Sequence, residues 1–342
     1  MSRFRVATLA LISLALAPLV GRAQELTLTQ HTLPQPFLQE GVVDGVLEAS
    51  GVEPIGDGGR FLVAHDKAPG LYVVELASGR VLGSPLGSAR FPVQNGAGPK
   101  WEGMALDSEG VFYIIGAHNG KTDEERATKS HLLKFRLKAQ DEPAIDDGSV
   151  VGYHVARSIE SALKAEGVAP ELVAQRKVEG LTIRERKGAD GSIRRELLIG
   201  LRAPTDRVRV FAADLSAPPS PDAELDLKPL FSFEAERREG FVSELTAMEY
   251  APTLKGTLVM TASEDKNNAF HGNTLYFIAD GVSDHATKVA VLEPAMKCEG
   301  LTILGTQAEA GGIKVKLLFT FDNDPHATKI PSRFQTAVLE RR

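Results

Sequence analysis

The stretch KVEGLTI, residues 177–183, is one that the chain repeats. KWEGMAL (residues 100–106) and KCEGLTI (residues 297–303) keep the same Lys-x-Glu-Gly pattern. Two looser copies, around Glu48 and Glu244, keep the glutamate and the apolar alternation but lack the lysine. The five glutamates are 54, 77, 65 and 55 residues apart (102−48, 179−102, 244−179 and 299−244). Self-similarity at this period indicates a propeller or a solenoid.

Each copy is followed by further segments that read as β-strands. Apolar runs and period-two alternation between Gly, Asp and Pro turns are typical of strands. Four copies have three such segments and the last copy has two, whereas residues 26–33 alternate but belong to no copy. The segments, copy by copy, are 61–64, 71–76 and 81–82; 112–115, 132–137 and 150–151; 197–200, 208–212 and 230–231; 257–260, 274–278 and 289–291; and 317–320 and 334–339.

The pattern therefore predicts an all-β fold, a single β-propeller of five four-stranded blades. The N-terminal strand at residues 26–33 is expected to complete the last blade, because pairing there closes the ring and leaves no long open edge. A sixth blade within the 77-residue interval is the alternative. Residues 157–166, with apolar side chains at helical spacing, instead predict a short helix that accounts for the extra length.

The first 23 residues have the features of a cleavable secretory signal. Arg3 and Arg5 precede an apolar run over residues 6–20, and small residues stand at Gly21 and Ala23. The apolar run, broken by Pro18, is shorter than the roughly 20 residues that span a bilayer, although an uncleaved anchor is the alternative. We expect residues 1–23 to be a signal peptide and residues 24–342 to be one propeller domain without a membrane span, exported to the periplasm or secreted from a bacterium.

Composition narrows the classes of partner and cofactor. The formal net charge is −6 and basic residues occur only in short runs, so a nucleic-acid partner is not expected. The single cysteine, Cys298, excludes an internal disulfide. Cys298 occupies the position of Trp101 and Val178 in the other copies, so we expect a small buried residue rather than a reactive thiol.

The repeat also predicts where polar side chains converge. In a propeller the first strand of each blade lines the central channel and the second runs antiparallel beside it. The start of the first strand therefore lies next to the end of the second, on one face of the disc. We expect the five glutamates to meet the polar residues that end the second strands at one mouth of the channel. Those polar residues are His65, Asp66, His118, Asn119, Arg202, Glu264, Asp265, Asp322, Asn323 and Asp324.

Glutamates this close must be protonated, paired with cations or bound to a metal, because like charges repel. A lysine two residues before a glutamate lies on the same side of a strand, which predicts ion pairs within three copies: Lys100 with Glu102, Lys177 with Glu179, and Lys297 with Glu299. The alternative is a divalent cation, most plausibly Ca²⁺, which prefers oxygen ligands. Its candidate ligands are Glu48, Glu102, Glu179, Glu244, Glu299, Asp66, Asp265, Asp322 and Asp324.

Three further side chains are candidate catalytic residues. His65 or His118 could act as a general base or acid, or could simply bond to the backbone of a neighbouring blade. Zn²⁺ on these two histidines is disfavoured because no firm third nitrogen or sulfur ligand accompanies them. Arg202 offers a planar fork suited to a carboxylate or phosphate, or it neutralises the glutamates. His326 and Lys329, in the loop just beyond Asp324, could reach the same pocket.

These motifs carry a resemblance to a known family. Residues 178–183 followed by LLIGLRAP (residues 197–204) resemble the signature of the bacterial domain-of-unknown-function 3616 family. Residues 101–106 with YIIGAHN (residues 113–119) resemble its preceding repeat, and the match spans most of residues 45–340. Ala203 departs from the family's pattern, in which a second glycine is expected. The family is similar to the wider set of secreted propellers labelled as esterase-like phytases, and the resemblance implies a secreted propeller without fixing its activity.

Two functions follow from the sequence. We expect a metal-dependent hydrolase of phosphate or carboxylic esters, with Ca²⁺ at the acidic mouth and a histidine moving protons. The alternative is a non-catalytic exported propeller that binds a small molecule or a protein partner over the mouth. The chain contains no Gly-x-Ser-x-Gly, phosphate-loop or His-Glu-x-x-His motif, which argues against those catalytic classes.

Overall fold

The computed structural model describes most of the chain after residue 24. The predicted signal peptide, Asn323, Asp324, His326 and Lys329 lie outside the described residues. The described ranges are 25–38, 47–67, 70–92, 99–120, 122–139, 141–188, 190–215, 224–267, 269–292, 296–322 and 331–342.

Twenty-one β-strands and three α-helices form in these ranges, and the first two strands precede the first blade. Each of the first three blades is a four-stranded antiparallel sheet whose strands are consecutive along the chain. The leading strands are β1 (Leu26–His31) and β2 (Gln35–Pro36); blade 1 has β3 (Ala49–Ile55), β4 (Arg60–His65), β5 (Leu71–Glu75) and β6 (Val81–Leu86); blade 2 has β7 (Trp101–Leu106), β8 (Phe112–Gly116), β9 (His131–Phe135) and β10 (Val151–His154); blade 3 has β11 (Lys177–Lys187), β12 (Ile193–Ala203), β13 (Val208–Asp214) and β14 (Lys228–Phe233).

The four strands of blade 4 are also consecutive along the chain. The outer strand of blade 5, in contrast, is β1, from the N-terminal end of the described chain. In blade 5, β1 pairs antiparallel with the last strand, and Leu26 faces Arg341. The predicted closure of the ring is therefore confirmed. Blade 4 has β15 (Ser243–Ala251), β16 (Gly256–Glu264), β17 (Phe270–Ala279) and β18 (Thr287–Leu292); blade 5 has β19 (Lys297–Glu309), β20 (Gly312–Asp322) and β21 (Arg333–Arg341).

The five sheets form a closed ring. The inner strand of each blade packs against the inner strands of both neighbours, in the order β3, β7, β11, β15, β19 and back to β3. The prediction of five blades is thus confirmed. The long interval in blade 2 is filled by α1 (Asp123–Thr128), a 3-10 turn at Asp147–Ser149, α2 (Ala156–Ala165) and α3 (Pro170–Val173) rather than by a sixth sheet.

The helix predicted at residues 157–166 corresponds to α2. Its apolar side chains Ile159, Ala162 and Leu163 are buried in a cluster with residues of blades 2 and 3. The helix therefore extends the core between those two blades. Within the described residues, no helix has both the length and the apolar character needed to cross a membrane.

The space between blades is filled by the residue that separates lysine from glutamate in each Lys-x-Glu-Gly copy. Trp101, Val178 and Cys298 are each 0% exposed. Because side chains alternate along a strand, burying this residue between blades directs the flanking Lys and Glu towards the channel. The buried position expected for Cys298 is confirmed, and burial also raises the pKa of its thiol.

Candidate functional site at the channel mouth

A β-bulge sets the direction of three of the five ring glutamates. Glu102 has no partner in the ladder, because Trp101 faces Gly116 and Gly103 faces Ile115. The same register shift falls on Glu179 between β11 and β12 and on Glu299 between β19 and β20. A bulge inserts one unpaired residue and can re-aim its side chain. A glycine after the glutamate predicts either a bulge or a close backbone approach at the channel rim, and the register shows the bulge.

The glycine that follows each of these glutamates allows neighbouring inner strands to approach closely. A Cβ on Gly103 would lie 2.8 Å from Leu181 Cβ, and one on Gly180 would lie 2.9 Å from the Leu245 side chain. The channel behind the glutamates narrows to a cavity of about 10 Å³. That volume holds roughly one water molecule, so a larger ligand can meet these residues only at the mouth.

The predicted ion pairs within the three Lys-x-Glu-Gly copies are all present. Lys100 Nζ lies 2.8 Å from Glu102 Oε1. Lys177 contacts Glu179, and Lys297 contacts Glu299, in the same way. The three glutamate side chains are almost completely buried, whereas the lysines remain partly exposed. Each buried carboxylate therefore fixes the position of a partly exposed ammonium group.

The pairing continues across blades. Lys100 Nζ also lies 3.0 Å from Asp66 of blade 1, and Lys177 Nζ lies 3.4 Å from Glu102 of blade 2. Lys297 Nζ lies 3.5 Å from Glu264 of blade 4. The result is a continuous set of ion pairs that touches all five blades, which we call the ion-pair arc. Its members are Asp66, Lys100, Glu102, Lys177, Glu179, Arg202, Glu244, Glu264, Lys297 and Glu299.

Arg202 joins blade 3 to blade 4 in the middle of the arc. Its Nη1 donates to Glu179 at 3.1 Å, and its Nε and Nη2 donate at 2.5 Å to Glu244 and Glu264 of blade 4. Burial lowers the pKa of Arg202, but Glu179, Glu244 and Glu264 outweigh burial and raise it. Arg202 thus takes the role of counter-ion to the glutamates, which the sequence left open, and its side chain is 16% exposed.

The charged groups of the arc shift one another's pKa values. Burial lowers the pKa of Lys100, but the charges of Glu102 and Asp66 outweigh burial and raise it well above its usual range. Conversely, burial raises the pKa of Glu179, and Lys177 and Arg202 overcome that effect and hold it low. Asp66 differs: burial and the charge of Glu102 raise its pKa above the ordinary value, although Lys100 opposes them.

The remaining predicted metal ligands have separate partners. Glu48 pairs with Lys67, which follows β4, at 2.5 Å. The Asp265 carboxylate accepts backbone N–H groups of Asn267 and Ala269 at 2.7 and 2.9 Å, so it stabilises the turn after β16 and is not brought into the arc. Asp322 accepts the Ser332 hydroxyl at 3.1 Å. In blade 4 the arc member is Glu264 rather than its neighbour Asp265.

No metal centre is evident in the part of the chain that the structure describes. No group of three or more His, Cys, Asp or Glu side chains there is arranged to hold a metal ion. The carboxylates of the arc are instead paired with ammonium and guanidinium groups, the second of the three solutions open to crowded carboxylates. A Ca²⁺ ion at the mouth stays a prediction.

The two histidines lie in different environments. The Nδ1 of His65 accepts the backbone N–H of Lys67 at 3.0 Å, and the centroid of its ring lies 5.5 Å from that of Tyr72, with the ring planes tilted by 39°. His118 is 1% exposed, and neither ring nitrogen has a hydrogen-bond partner among the described residues. Burial, with smaller contributions from Arg176 and His131, lowers the pKa of His118 to about 3. His118 therefore stays neutral at physiological pH and is a weak base.

Sequence reasoning missed a second pair of carboxyl groups further along the channel. Glu53 Oε2 accepts the Thr302 hydroxyl at 2.9 Å, and Glu249 Oε2 accepts the Thr182 hydroxyl at 3.0 Å. Burial raises the pKa of both carboxyls, that of Glu249 to about 8 and that of Glu53 further with the help of the Glu249 charge. The available signal was their spacing, since each lies five residues after the ring glutamate of a looser copy.

Comparison with known proteins adds no assignment of activity. No protein-family model matches the chain, and no curated protein matches it. The exo-β-1,3-galactanase of Phanerochaete chrysosporium has a TM-score of 0.48 at 7% identity, over 90% of this chain and 64% of that chain, so this chain spans less than two thirds of it.

Two other solved structures have similar scores. The RS223 β-xylosidase has a TM-score of 0.44 at 12% identity, over 90% of this chain and 94% of that chain. Regucalcin of Agrobacterium tumefaciens, described as a calcium-binding protein, has a TM-score of 0.37 at 10% identity, over 87% and 92%. Likenesses this distant do not bear on the ligand or the reaction of this protein.

Proposed function

We propose that this protein binds a small, oxygen-rich ligand of low charge at the channel mouth, of the carboxylic ester or monocarboxylate type. The observation that supports this is the spare hydrogen-bonding capacity of the arc. An ammonium group has three N–H donors, and Lys100, Lys177 and Lys297 each contact two carboxylates among the described residues. Each lysine therefore keeps one donor for solvent or a ligand.

Arg202 adds to this capacity. A guanidinium has five N–H donors, and three hydrogen bonds of Arg202 reach carboxylates. The side chains of the four cations are 14–27% exposed, whereas those of Glu102, Glu179 and Glu299 are at most 7% exposed. A ligand at the mouth therefore meets donors held in place by buried carboxylates, and it must supply acceptors.

The charge balance favours a ligand of low charge. The arc contains six carboxylates and four cations among the described residues, an excess of two negative charges if all are ionised. Two like charges 4 Å apart near a protein surface repel by about 4 kcal/mol. Repulsion by the carboxylates would therefore offset much of the binding free energy that a polyanion gains from the N–H donors. An ester or a monocarboxylate would be repelled less and would retain more of that binding free energy.

Binding can be measured by isothermal calorimetry and ligand-observed NMR with a panel of carboxylic esters, monocarboxylates and inorganic phosphate. Lys177→Met removes one donor and should weaken binding of the best ligand at least tenfold, since a hydrogen bond to a charged group is worth about 1.5–3 kcal/mol. Lys314→Met is the matched control, because Lys314 pairs with Glu309 on the β19–β20 hairpin. Equal affinity of both variants would contradict the proposal, provided that both are folded by circular dichroism.

Hydrolysis of a phosphate or carboxylic ester at the same mouth is a second candidate, and Asp66 favours it. A carboxyl group with a raised pKa can hold and release a proton nearer to neutral pH, which general acid–base catalysis requires. Asp66 is such a group, and it lies 3.0 Å from Lys100 Nζ. His118 suits this role less well, since its pKa is about 3.

A screen of chromogenic esters and phosphoesters tests the hydrolase. Asp66→Asn should abolish turnover but leave ligand affinity within about threefold, since Lys100 keeps Glu102 as its partner. Turnover that survives Asp66→Asn would exclude this role. Dependence on Ca²⁺ is tested separately by metal content and by melting with and without a chelator, because a cation bound only by the folded state stabilises it.

We also propose that the chain is an exported member of the bacterial domain-of-unknown-function 3616 family. The Glu-Gly-led inner strands and the composition of residues 1–23 support this proposal. Expression of the full chain in a bacterium, followed by N-terminal sequencing of the periplasmic or secreted product, tests export. A mature protein that begins near residue 24 is expected, and a product retaining Met1 in the cytoplasm would contradict it.

A further inference from the structure

Two histidines face each other on the outer strands of blade 2, away from the arc. In the antiparallel ladder His154 of β10 is the direct partner of His131 of β9. Their ring centroids are 5.0 Å apart, and the ring planes are inclined by 54°. Directly opposed residues have Cβ atoms about 4.5–5.5 Å apart, a spacing at which two imidazoles on the same face can reach one common atom.

Within the described ranges, neither imidazole is bound to another group. No hydrogen bond or ion pair of the His131 or His154 side chain occurs in the part of the chain that the structure describes. By contrast, His271 contacts Glu239 at 2.8 Å, and His65 accepts a backbone N–H. His131 is half-buried and His154 is exposed, so the pair is open to solvent on one side. Both side chains therefore retain free ring nitrogens that can take a ligand.

We propose that His131 and His154 form a two-imidazole site for a divalent transition metal. Imidazole nitrogen is a ligand for Cu²⁺, Ni²⁺ and Zn²⁺, and the remaining coordination positions would be taken by water. Oxygen-preferring Ca²⁺ does not suit such a pair, which separates this site from the cation predicted at the mouth. The proposed site has two protein ligands, and no cluster of three or more His, Cys, Asp or Glu side chains that could hold a metal occurs among the described residues.

The surroundings set an order of preference among the metals. Helix α2 begins at Ala156, two residues after His154, and a helix N-terminus disfavours cations. A weakly favoured site should then select the metal with the highest intrinsic affinity for nitrogen ligands. Among the first-row divalent ions that metal is Cu²⁺.

Metal binding would stabilise the pairing of the two outer strands of blade 2. Strand β10 is outermost in its sheet, and β9 is its only partner strand among the described residues. A metal held by one ligand from each strand binds only when the two strands are paired, so binding favours the folded blade. The site therefore predicts a rise in melting temperature with Cu²⁺ that depends on both histidines.

The experiment titrates the full, chelator-treated protein with Cu²⁺ and records calorimetry, melting temperature and electron paramagnetic resonance. One equivalent of Cu²⁺ with nitrogen hyperfine structure from two imidazoles is expected. His154→Ala should weaken binding at least tenfold and remove the melting shift, and this exposed position should tolerate the change. His131→Asn should have the same effect. The control is His285→Ala, a change at another exposed histidine that should alter neither readout.

Several results would overturn the assignment. One is an affinity in His154→Ala equal to that of the unmodified protein. Another is displacement of bound Cu²⁺ by Ca²⁺ at comparable concentration, which would indicate oxygen ligands. A third is loss of binding in His118→Ala with a retained fold, which would place the metal deeper, beside the buried histidine that interacts with His131.

Discussion

Blades 2, 3 and 5 differ from blades 1 and 4 in how they hold the glutamate at the mouth. In blades 2, 3 and 5 the glutamate is the extra residue of a β-bulge, and the lysine two positions earlier is its partner. In blade 4, Glu244 sits in the regular ladder opposite Ala262, and its cation is Arg202 of blade 3. In blade 1 the cation is Lys67, from the turn after β4. The Lys-x-Glu-Gly motif therefore encodes both the direction of the carboxylate and its counter-ion.

The same division reappears five residues further along the inner strands. Blades 1 and 4 carry Glu53 and Glu249 there, the first buried and the second half-buried, and desolvation raises the pKa of both carboxyls. The other three blades carry Asp107, Arg184 and Leu304 at this position. All five blades therefore carry paired charges at the mouth, but only blades 1 and 4 also carry a glutamate with a raised pKa at this inner position. The two classes of blade should respond differently to mutation and to pH.

The largest difference is expected from removing the ring glutamate. Glu179→Ala takes away a 1% exposed carboxylate that contacts Lys177 and Arg202, and breaking a buried pair costs about 3–5 kcal/mol. Glu244→Ala removes a 23% exposed carboxylate, for which we expect about 1 kcal/mol or less. Urea unfolding of both variants measures the difference. Equal losses would mean that the bulge does not distinguish the two classes of blade.

The sequence was sufficient for the fold because its information is local. Alternation, turn residues and the spacing of the repeated glutamates predict the strands, and the unpaired segment near Leu26 predicts how the ring closes. The Lys–Glu pairs within one strand were equally predictable, because residues two apart share a side. The glycine that follows the glutamate predicts either a bulge or a close backbone approach, and both occur at Glu102 and Gly103.

The remainder of the site depends on distances between blades, which the sequence does not contain. Glu264 is the last residue of β16 and Asp265 follows it directly, yet only Glu264 belongs to the arc. His118, expected at the mouth, is buried, and its backbone N–H bonds to Lys129 O, just after α1. Glu53 and Glu249 were missed because a bulge breaks the two-residue alternation, so positions beyond it cannot be assigned to a face by counting.

Blades 1 and 4 should make the stability of the protein depend on pH. Glu249 has a pKa of about 8 when folded, against 4.5 ordinarily. In this case the stability contribution is complete below about pH 4.5, falls as the unfolded chain ionises, and is lost once pH passes about 8. The slope approaches about 1.4 kcal/mol per pH unit within that window. Urea unfolding of the native protein between pH 5 and 9 should show this decline.

Glu249→Gln should flatten the decline, because the amide cannot ionise and can still accept the Thr182 hydroxyl. The matched control is Glu171→Gln, a change at an exposed carboxyl on α3 that should leave the slope unaltered. A slope unchanged by Glu249→Gln would assign the pH dependence to other groups. In that case the channel carboxyls would not distinguish blades 1 and 4 from the rest.

The smallest expected effect concerns the glycine that follows the ring glutamate. Blade 1 already has Ala49 at this position and blade 4 has Leu245, because their bulges fall later in the strand. In blade 2, however, a Cβ at Gly103 would lie 2.8 Å from Leu181 Cβ and 2.9 Å from Leu181 N. The position of these two Leu181 atoms is set by the backbone of β11, so they cannot rotate away as the end of a side chain can. Strands β7 and β11 must therefore separate. We expect Gly103→Ala to cost about 2 kcal/mol, within the range for overpacking.

The control for this prediction is Gly311→Ala, in the turn between β19 and β20. A Cβ there meets no atom within 4 Å, so the change should stay within about 0.5 kcal/mol. If Gly103→Ala proved as mild as this control, glycine would not set the spacing of the inner strands. The narrow channel would then follow from the ion pairs of the arc, and Glu179→Ala, rather than Gly103→Ala, should widen it. Solvent exchange of the inner-strand amides in the two variants would separate these causes, because a wider channel admits water to strands that are otherwise closed to it.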